Sequence, residues 1–127
     1  MLYADLTEKI IGCAYQVYNT LGAGFLESVY EQSLLIELRE TGLVAESQVR
    51  LDVYYRDQPV GSFFADIIVE GVIIVELKAI DVLAKVHEAQ LVNYLIATNK
   101  PVGLLINFSP EGVVVKRKVR TLPTSSS

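Results

Sequence analysis

A mixed α/β domain with the element order ααβββαββ is the fold that this sequence predicts. Three observations carry it. Two stretches of helical apolar spacing open the chain, three runs of strand character follow, and one further helical stretch separates two fully apolar runs. Apolar strands joined through a helix imply a right-handed crossover between parallel neighbours. The expected architecture is a central mixed sheet flanked by helices.

Ile10, Ile11, Ala14, Val17, Tyr18 and Leu21 recur at helical spacing and predict an amphipathic helix over residues 3–21. Leu21-Gly22-Ala23-Gly24 ends it, because glycine accepts the backbone angles of a helix terminus. Leu26, Val29, Tyr30, Leu34 and Leu38 place a second helix over about 25–40, closed by Gly42. The pattern then changes. Val44–Tyr55 alternates in places, at Val49, Leu51 and Val53, and predicts a first strand. Arg56-Asp57-Gln58-Pro59 marks a turn, Gly61–Val69 a second strand, and Glu70-Gly71 a tight turn. Val72–Ala79 is the third strand; its Val72-Ile73-Ile74-Val75 is apolar on both faces, as a central strand requires. A third helix is expected over about Val82–Thr98, stopped by Asn99-Lys100-Pro101. Val102–Ile106 is a fully apolar strand, Ser109-Pro110-Glu111-Gly112 turns the chain, and Val113–Val119 forms the last strand. A single domain over residues 1–120 and a loose tail over 121–127 follow.

The 127 residues suit one domain, and 51% hydrophobic with 20% charged residues exclude wholesale disorder. No apolar run approaches the roughly 20 residues of a membrane-spanning helix. The start, Met1-Leu2-Tyr3-Ala4-Asp5, lacks the basic and apolar regions of a secretory signal. Cys13 is the only cysteine and sits among Ile10, Ile11 and Ala14, where it reads as a small core hydrophobe. A lone thiol fits a reducing cytoplasm, the expected location. The net charge of −4 argues against tight, nonspecific binding to long duplexes. Positive charge is concentrated late, at Lys116-Arg117-Lys118 and Arg120.

Charges interrupt the apolar strands. Asp66 lies between Phe63-Phe64-Ala65 and Ile67-Ile68-Val69, while Glu76 and Lys78 flank Leu77 after Ile73-Ile74-Val75. Unpaired buried carboxylates cost several kcal/mol, so these groups need partners. A structural Glu76–Lys78 ion pair is the simplest answer. A site for chemistry is the sharper one. Glu76 and Lys78 are two apart on a strand and share a face. If Asp66 lies opposite Glu76 across the hairpin, all three converge. Two neighbouring carboxylates make an oxygen-rich site for Mg²⁺ or Mn²⁺. Such an ion neutralises phosphate charge and acidifies a bound water, which the Lys78 ammonium can position. Register tests the idea. A two-residue turn at Glu70-Gly71 would set Asp66 against Val75 and turn Glu76 away. Convergence needs one extra residue, in a three-residue loop or a bulge at Gly71.

The spacing of Asp66 and Glu76-Leu77-Lys78 resembles the D…ExK signature of the PD-(D/E)XK nuclease superfamily. Two more stretches sharpen the resemblance. Gly24, Glu27 and Tyr30 in Leu21–Tyr30 resemble the motif of the GxxExxY family, a branch of that superfamily. His87-Glu88-Ala89-Gln90-Leu91-Val92-Asn93-Tyr94 resembles the QxxxY helix motif of exonuclease-like branches. The resemblance runs from about residue 5 to residue 119. It implies a restriction-endonuclease-like core, catalytic roles for Asp66, Glu76, Lys78, Glu27, Gln90 and Tyr94, and a metal held by Asp66, Glu76 and Glu27. It also carries departures: Tyr18 stands where the family often has His, Phe64 where it often has Arg, and Ala23 where it often has Pro.

These motifs have a physical reading of their own. Gly24, Glu27 and Tyr30, three apart, would share one helix face. A glutamate at a helix start also suits the helix dipole. Gln90 and Tyr94, four apart, share a face of the third helix. Gln90 could donate to a phosphate oxygen, and Tyr94 could orient Lys78 or a nucleotide; core packing is the alternative for Tyr94. His87 reads as an exposed helix residue. The expected function is a Mg²⁺- or Mn²⁺-dependent phosphodiester hydrolase acting on DNA or RNA without sequence specificity. Two alternatives use the same fold: a noncatalytic oligomerising or partner-binding module, and a phosphoesterase on nucleotides. The mean hydropathy of +0.37 favours the noncatalytic module, because excess apolar surface often marks an interface; a homodimer is compatible with that reading and with the hydrolase. No membrane partner is expected.

Overall fold

The computed structural model describes residues 3–120. It contains α1 (Ala4–Leu21), α2 (Glu27–Glu40), β1 (Ala45–Tyr55), β2 (Gln58–Val69), β3 (Ile73–Lys78), α3 (Lys85–Thr98), β4 (Val102–Ser109) and β5 (Gly112–Val119). The order ααβββαββ stands. One five-stranded sheet runs β1-β2-β3-β4-β5. The β3–β4 pair, joined through α3, is parallel, and its other pairs are antiparallel. The expected tail over 121–127 lies outside the described residues. Among the described residues no helix is long and apolar enough to cross a membrane.

Element ends follow local chemistry. Gly22, at φ 74°, closes α1 by donating its N–H to the Tyr18 carbonyl at 2.7 Å. Gly24, at φ 99°, lies in the loop before α2. It therefore does not share a helix face with Glu27 and Tyr30, contrary to the spacing argument. The β1–β2 turn is only Arg56-Asp57, both at positive φ, which pairs Tyr55 with Gln58. Positive φ at both central residues is the hairpin geometry that matches strand twist. Gln58 and Pro59 consequently belong to β2, which starts earlier than its apolar pattern. Helix α3 starts at Lys85, later than the pattern suggests. Asn107 holds the preceding segment: its side chain accepts from the Ile80 N–H at 3.0 Å and donates to the Ile80 carbonyl at 2.9 Å.

Two apolar layers cover the sheet. Ile10, Ala14 and Val17 of α1 and Tyr30, Leu34 and Leu38 of α2 pack on Ile67, Val75, Leu104 and Ile106. Leu91 and Leu95 of α3 pack on Ala65, Ile68, Ile74 and Leu105 on the other side. Every residue of β4 is buried, as a central strand with two covered faces demands. Gly103 lets α3 approach closely, because a Cβ there would lie 2.8 Å from Leu91 Cδ1.

One irregularity shapes the rest. Ala45 and Ile67 belong to the layer under α1 and α2, yet Val49 and Ala65 belong to the layer under α3. Residues an even number apart on a regular strand share a face. The alternation thus inverts in both strands, at Gln48 in β1 and at Asp66 in β2. Gln48 has φ 48°, outside strand geometry, and interrupts a ladder that resumes with Val49 against Ala65.

Candidate active site

The β2–β3 register decides whether the charged residues meet. It pairs Ile67 with Val75, Ile68 with Ile74 and Val69 with Ile73. The connection is thus the three residues Glu70-Gly71-Val72, with Glu70 at φ 54° and Gly71 at φ 69°. This is the extra residue that convergence requires, and one further step of the register sets Asp66 against Glu76. Ladder pairing stops at Ile67–Val75, and β2 continues along β1 alone. The sheet forks at Asp66. Across the fork, Asp66 Oδ2 accepts the Leu77 N–H at 2.8 Å.

Glu76 carries the largest electrostatic load. Burial pushes its carboxyl up to about 9; the Asp66 charge and a side-chain hydrogen bond with Asp66 add to this, and Lys78 partly offsets it. Its Oε1 is buried with no hydrogen-bond partner. The ion pairs among the described residues are Arg50–Asp52 and Lys118–Glu88, so Glu76 and Lys78 do not form a structural pair. Burial, then Asp66 and Glu31, raise the Glu27 carboxyl, and Lys78 opposes them. Burial, then Glu76 and Asp66, raise the Tyr94 hydroxyl. Asp66, Glu76, Lys78, Glu27 and Tyr94 therefore share one electrostatic neighbourhood at the fork.

Tyr94 is held flat against Phe63, with ring centroids 3.6 Å apart and planes 10° apart. Packing and proximity to the carboxylates thus coexist. Gln90 stands one turn earlier on α3 and is exposed. His87 is half-buried, not exposed as its spacing suggests, and its Nδ1 accepts the Ala84 N–H at 3.0 Å to anchor the start of α3. Tyr30 is fully buried; its hydroxyl donates to the Gly22 carbonyl at 2.6 Å and receives the Phe25 N–H at 3.3 Å. It staples the α1–α2 loop. Tyr18 donates to the Ser109 carbonyl at 2.8 Å and ties α1 to the β4–β5 turn. The late basic cluster is partly neutralised, since Lys118 Nζ lies 2.6 Å from Glu88 Oε1.

A profile of the PD-(D/E)XK nuclease superfamily matches residues 4–121, almost the whole chain. The chain belongs to the PD-(D/E)XK nuclease superfamily. Among solved structures, the crystal structure of SSO0001 is similar, with a TM-score of 0.59 and 20% identity. The match covers 95% of this chain and 61% of that one; at this identity it shows a shared fold. No curated protein matches the chain.

Nucleases of the superfamily generally use a divalent cation, and the fork offers donors for one. Asp66 and Glu76 offer hard carboxylate oxygens at neighbouring positions, and the buried Glu76 Oε1 has no hydrogen-bond partner. Among the described residues no three His, Cys, Asp or Glu side chains are grouped tightly enough to hold an ion together. Two carboxylates suffice for Mg²⁺, which keeps several waters and takes further oxygens from a phosphate substrate.

Two polar residues at the fork escape a superfamily reading of the sequence. Glu31 is buried on α2, one turn after Glu27. Gln48 Nε2 donates to Glu31 Oε1 and Oε2, both at 3.1 Å, and approaches Asp66 Oδ1 at 3.4 Å. The i, i+4 spacing of the two glutamates was a signal for the first. Nothing in the sequence marks the second, because its positive φ is not encoded by residue type.

Proposed function

We propose that the protein is a Mg²⁺- or Mn²⁺-dependent phosphodiester hydrolase that cleaves DNA or RNA without sequence specificity. The unpartnered, buried oxygen of Glu76 beside Asp66 carries the reading. A carboxylate oxygen buried without a partner beside a second, half-buried carboxylate is costly, and stability alone is a poor reason to keep it. A cation between the two stabilises the ionised form of Glu76 and supplies the missing partner.

Asp66 and Glu76 would hold the ion, with Glu27 reached through water, because the three carboxylates are not grouped closely enough to ligate it together. The bound ion supplies neutralisation of phosphate charge and a water acidified for attack. The chain's own groups do the rest. Lys78, on the strand face of Glu76, orients the attacking water and balances negative charge developing on the phosphate. Gln90, exposed on α3, donates to a phosphate oxygen. Tyr94, fixed by Phe63, orients Lys78 or stacks near a nucleotide. Membership of the GxxExxY branch is part of this proposal and rests on Gly24, Glu27 and Tyr30. A cytoplasmic setting suits the lone thiol of Cys13, and exposed apolar side chains such as Leu26, Tyr55 and Phe64 suit a homodimer.

The test is cleavage of single- and double-stranded DNA and RNA by the purified protein with Mg²⁺ or Mn²⁺, with Asp66→Ala as control. Metal-dependent cleavage by the wild type and none by the variant is expected. Equal cleavage by both, or none by either, overturns the proposal.

A further inference from the structure

Gln48 occupies an exposed position in β1, so packing does not demand a glutamine there. Its backbone adopts φ 48° in mid-strand, a conformation that glycine or asparagine takes more readily. Such strain persists where surroundings over-determine it, and it clusters at working sites. What the strain achieves is visible. The chain turns over at Gln48, and its amide nitrogen reaches both oxygens of the buried Glu31 and, at 3.4 Å, Asp66 Oδ1.

The other Asp66 oxygen already accepts the Leu77 N–H at 2.8 Å. Each carboxylate oxygen of Asp66 therefore has its own donor, one from β1 and one from β3. The amide of Gln48 is in turn anchored on α2 through Glu31. Four elements, α2, β1, β2 and β3, meet through this chain of contacts.

Building on the metal-site reading above, we propose that Gln48 is a positioning residue. Anchored by Glu31, its amide fixes the rotation of the Asp66 carboxylate so that it faces Glu76 and the cation site. Neighbours of this kind typically change metal affinity by about 10–100-fold when removed. Glycine at this position keeps the backbone but has no amide. Asparagine keeps the backbone and an amide one methylene too short to bridge.

Mn²⁺ affinity, measured by calorimetry well below the melting temperature, tests this on Gln48→Gly, Gln48→Asn, Glu31→Leu and Glu31→Gln, with Asp66→Ala as reference. The expected result is at least about tenfold weaker binding in both Gln48 variants and in Glu31→Leu. Glu31→Gln, which still offers an acceptor oxygen, should recover most of the affinity. A merely structural glutamine would lower the melting temperature and leave affinity unchanged, and that result overturns the proposal. Equal binding by wild type and Asp66→Ala overturns the metal-site reading and this proposal with it, whereas loss in Asp66→Ala alone overturns only the role of Gln48.

Discussion

Asp66 Oδ2 accepts the Leu77 N–H at 2.8 Å across the point where β2 and β3 separate. A side chain thus replaces the next rung of the ladder, and the strands splay with a carboxylate between them. The adjacent residue, Glu76, then has Asp66 as its neighbour and one oxygen without a partner.

Stability without metal should fall with rising pH. The Glu76 carboxyl is raised from 4.5 to about 9 in the folded protein, mainly by burial. A raised folded value means that the neutral form is favoured by folding. Its contribution is complete below about pH 4.5 and is lost as pH rises through about 9. Melting in the presence of a chelator should therefore occur at lower temperature at pH 9 than at pH 6. Glu76→Gln should flatten that slope; an equal slope in the variant would assign it to other groups.

Cation binding should release a proton. At pH 7 Glu76 is held neutral, and a carboxylate must ionise to ligate. Mn²⁺ titrated into the protein in two buffers of different ionisation enthalpy should give different heats, with affinity rising between pH 6 and 8. Identical heats would mean that Glu76 is not a ligand.

Lys78→Ala should fold normally and bind Mn²⁺ at least as well as wild type, since a nearby like charge is removed. Cleavage should drop by about 10²–10³-fold or more, the usual cost of removing one group that stabilises developing charge. Rates on a short oligonucleotide at saturating Mn²⁺ check this, and a loss confined to metal affinity would contradict it.

Tyr30→Phe should separate scaffold from site. The lost hydroxyl leaves the Gly22 carbonyl and the Phe25 N–H without their partner. About 1–3 kcal/mol of stability should be lost, read from denaturant unfolding. Mn²⁺ affinity should not change, because the ring itself stays stacked on Phe108.

Much of this was legible in the amino-acid order. Apolar runs flanking α3 gave the parallel β3–β4 pair, and alternation gave the strands. The need for one extra residue in the β2–β3 loop followed from counting back from Asp66 and Glu76. Other features depended on backbone geometry that composition does not carry. Positive φ at Arg56 and Asp57 shortened the first hairpin turn and drew Pro59 into β2. The side chain of Asn107, distant in sequence, delayed the start of α3. Gly24 fell outside α2 because its own φ is positive. The face inversion at Gln48 was invisible for the same reason, and with it the contact between Glu31 and the site.

The proposed chemistry rests on a cation shared between β2 and β3. Diffraction from crystals grown with Mn²⁺, at a wavelength where manganese scatters anomalously, tests it most directly. One anomalous peak is expected in the fork, within coordination distance of both Asp66 and Glu76. A fork without a peak at saturating Mn²⁺, or a peak bound elsewhere on the molecule, would contradict it.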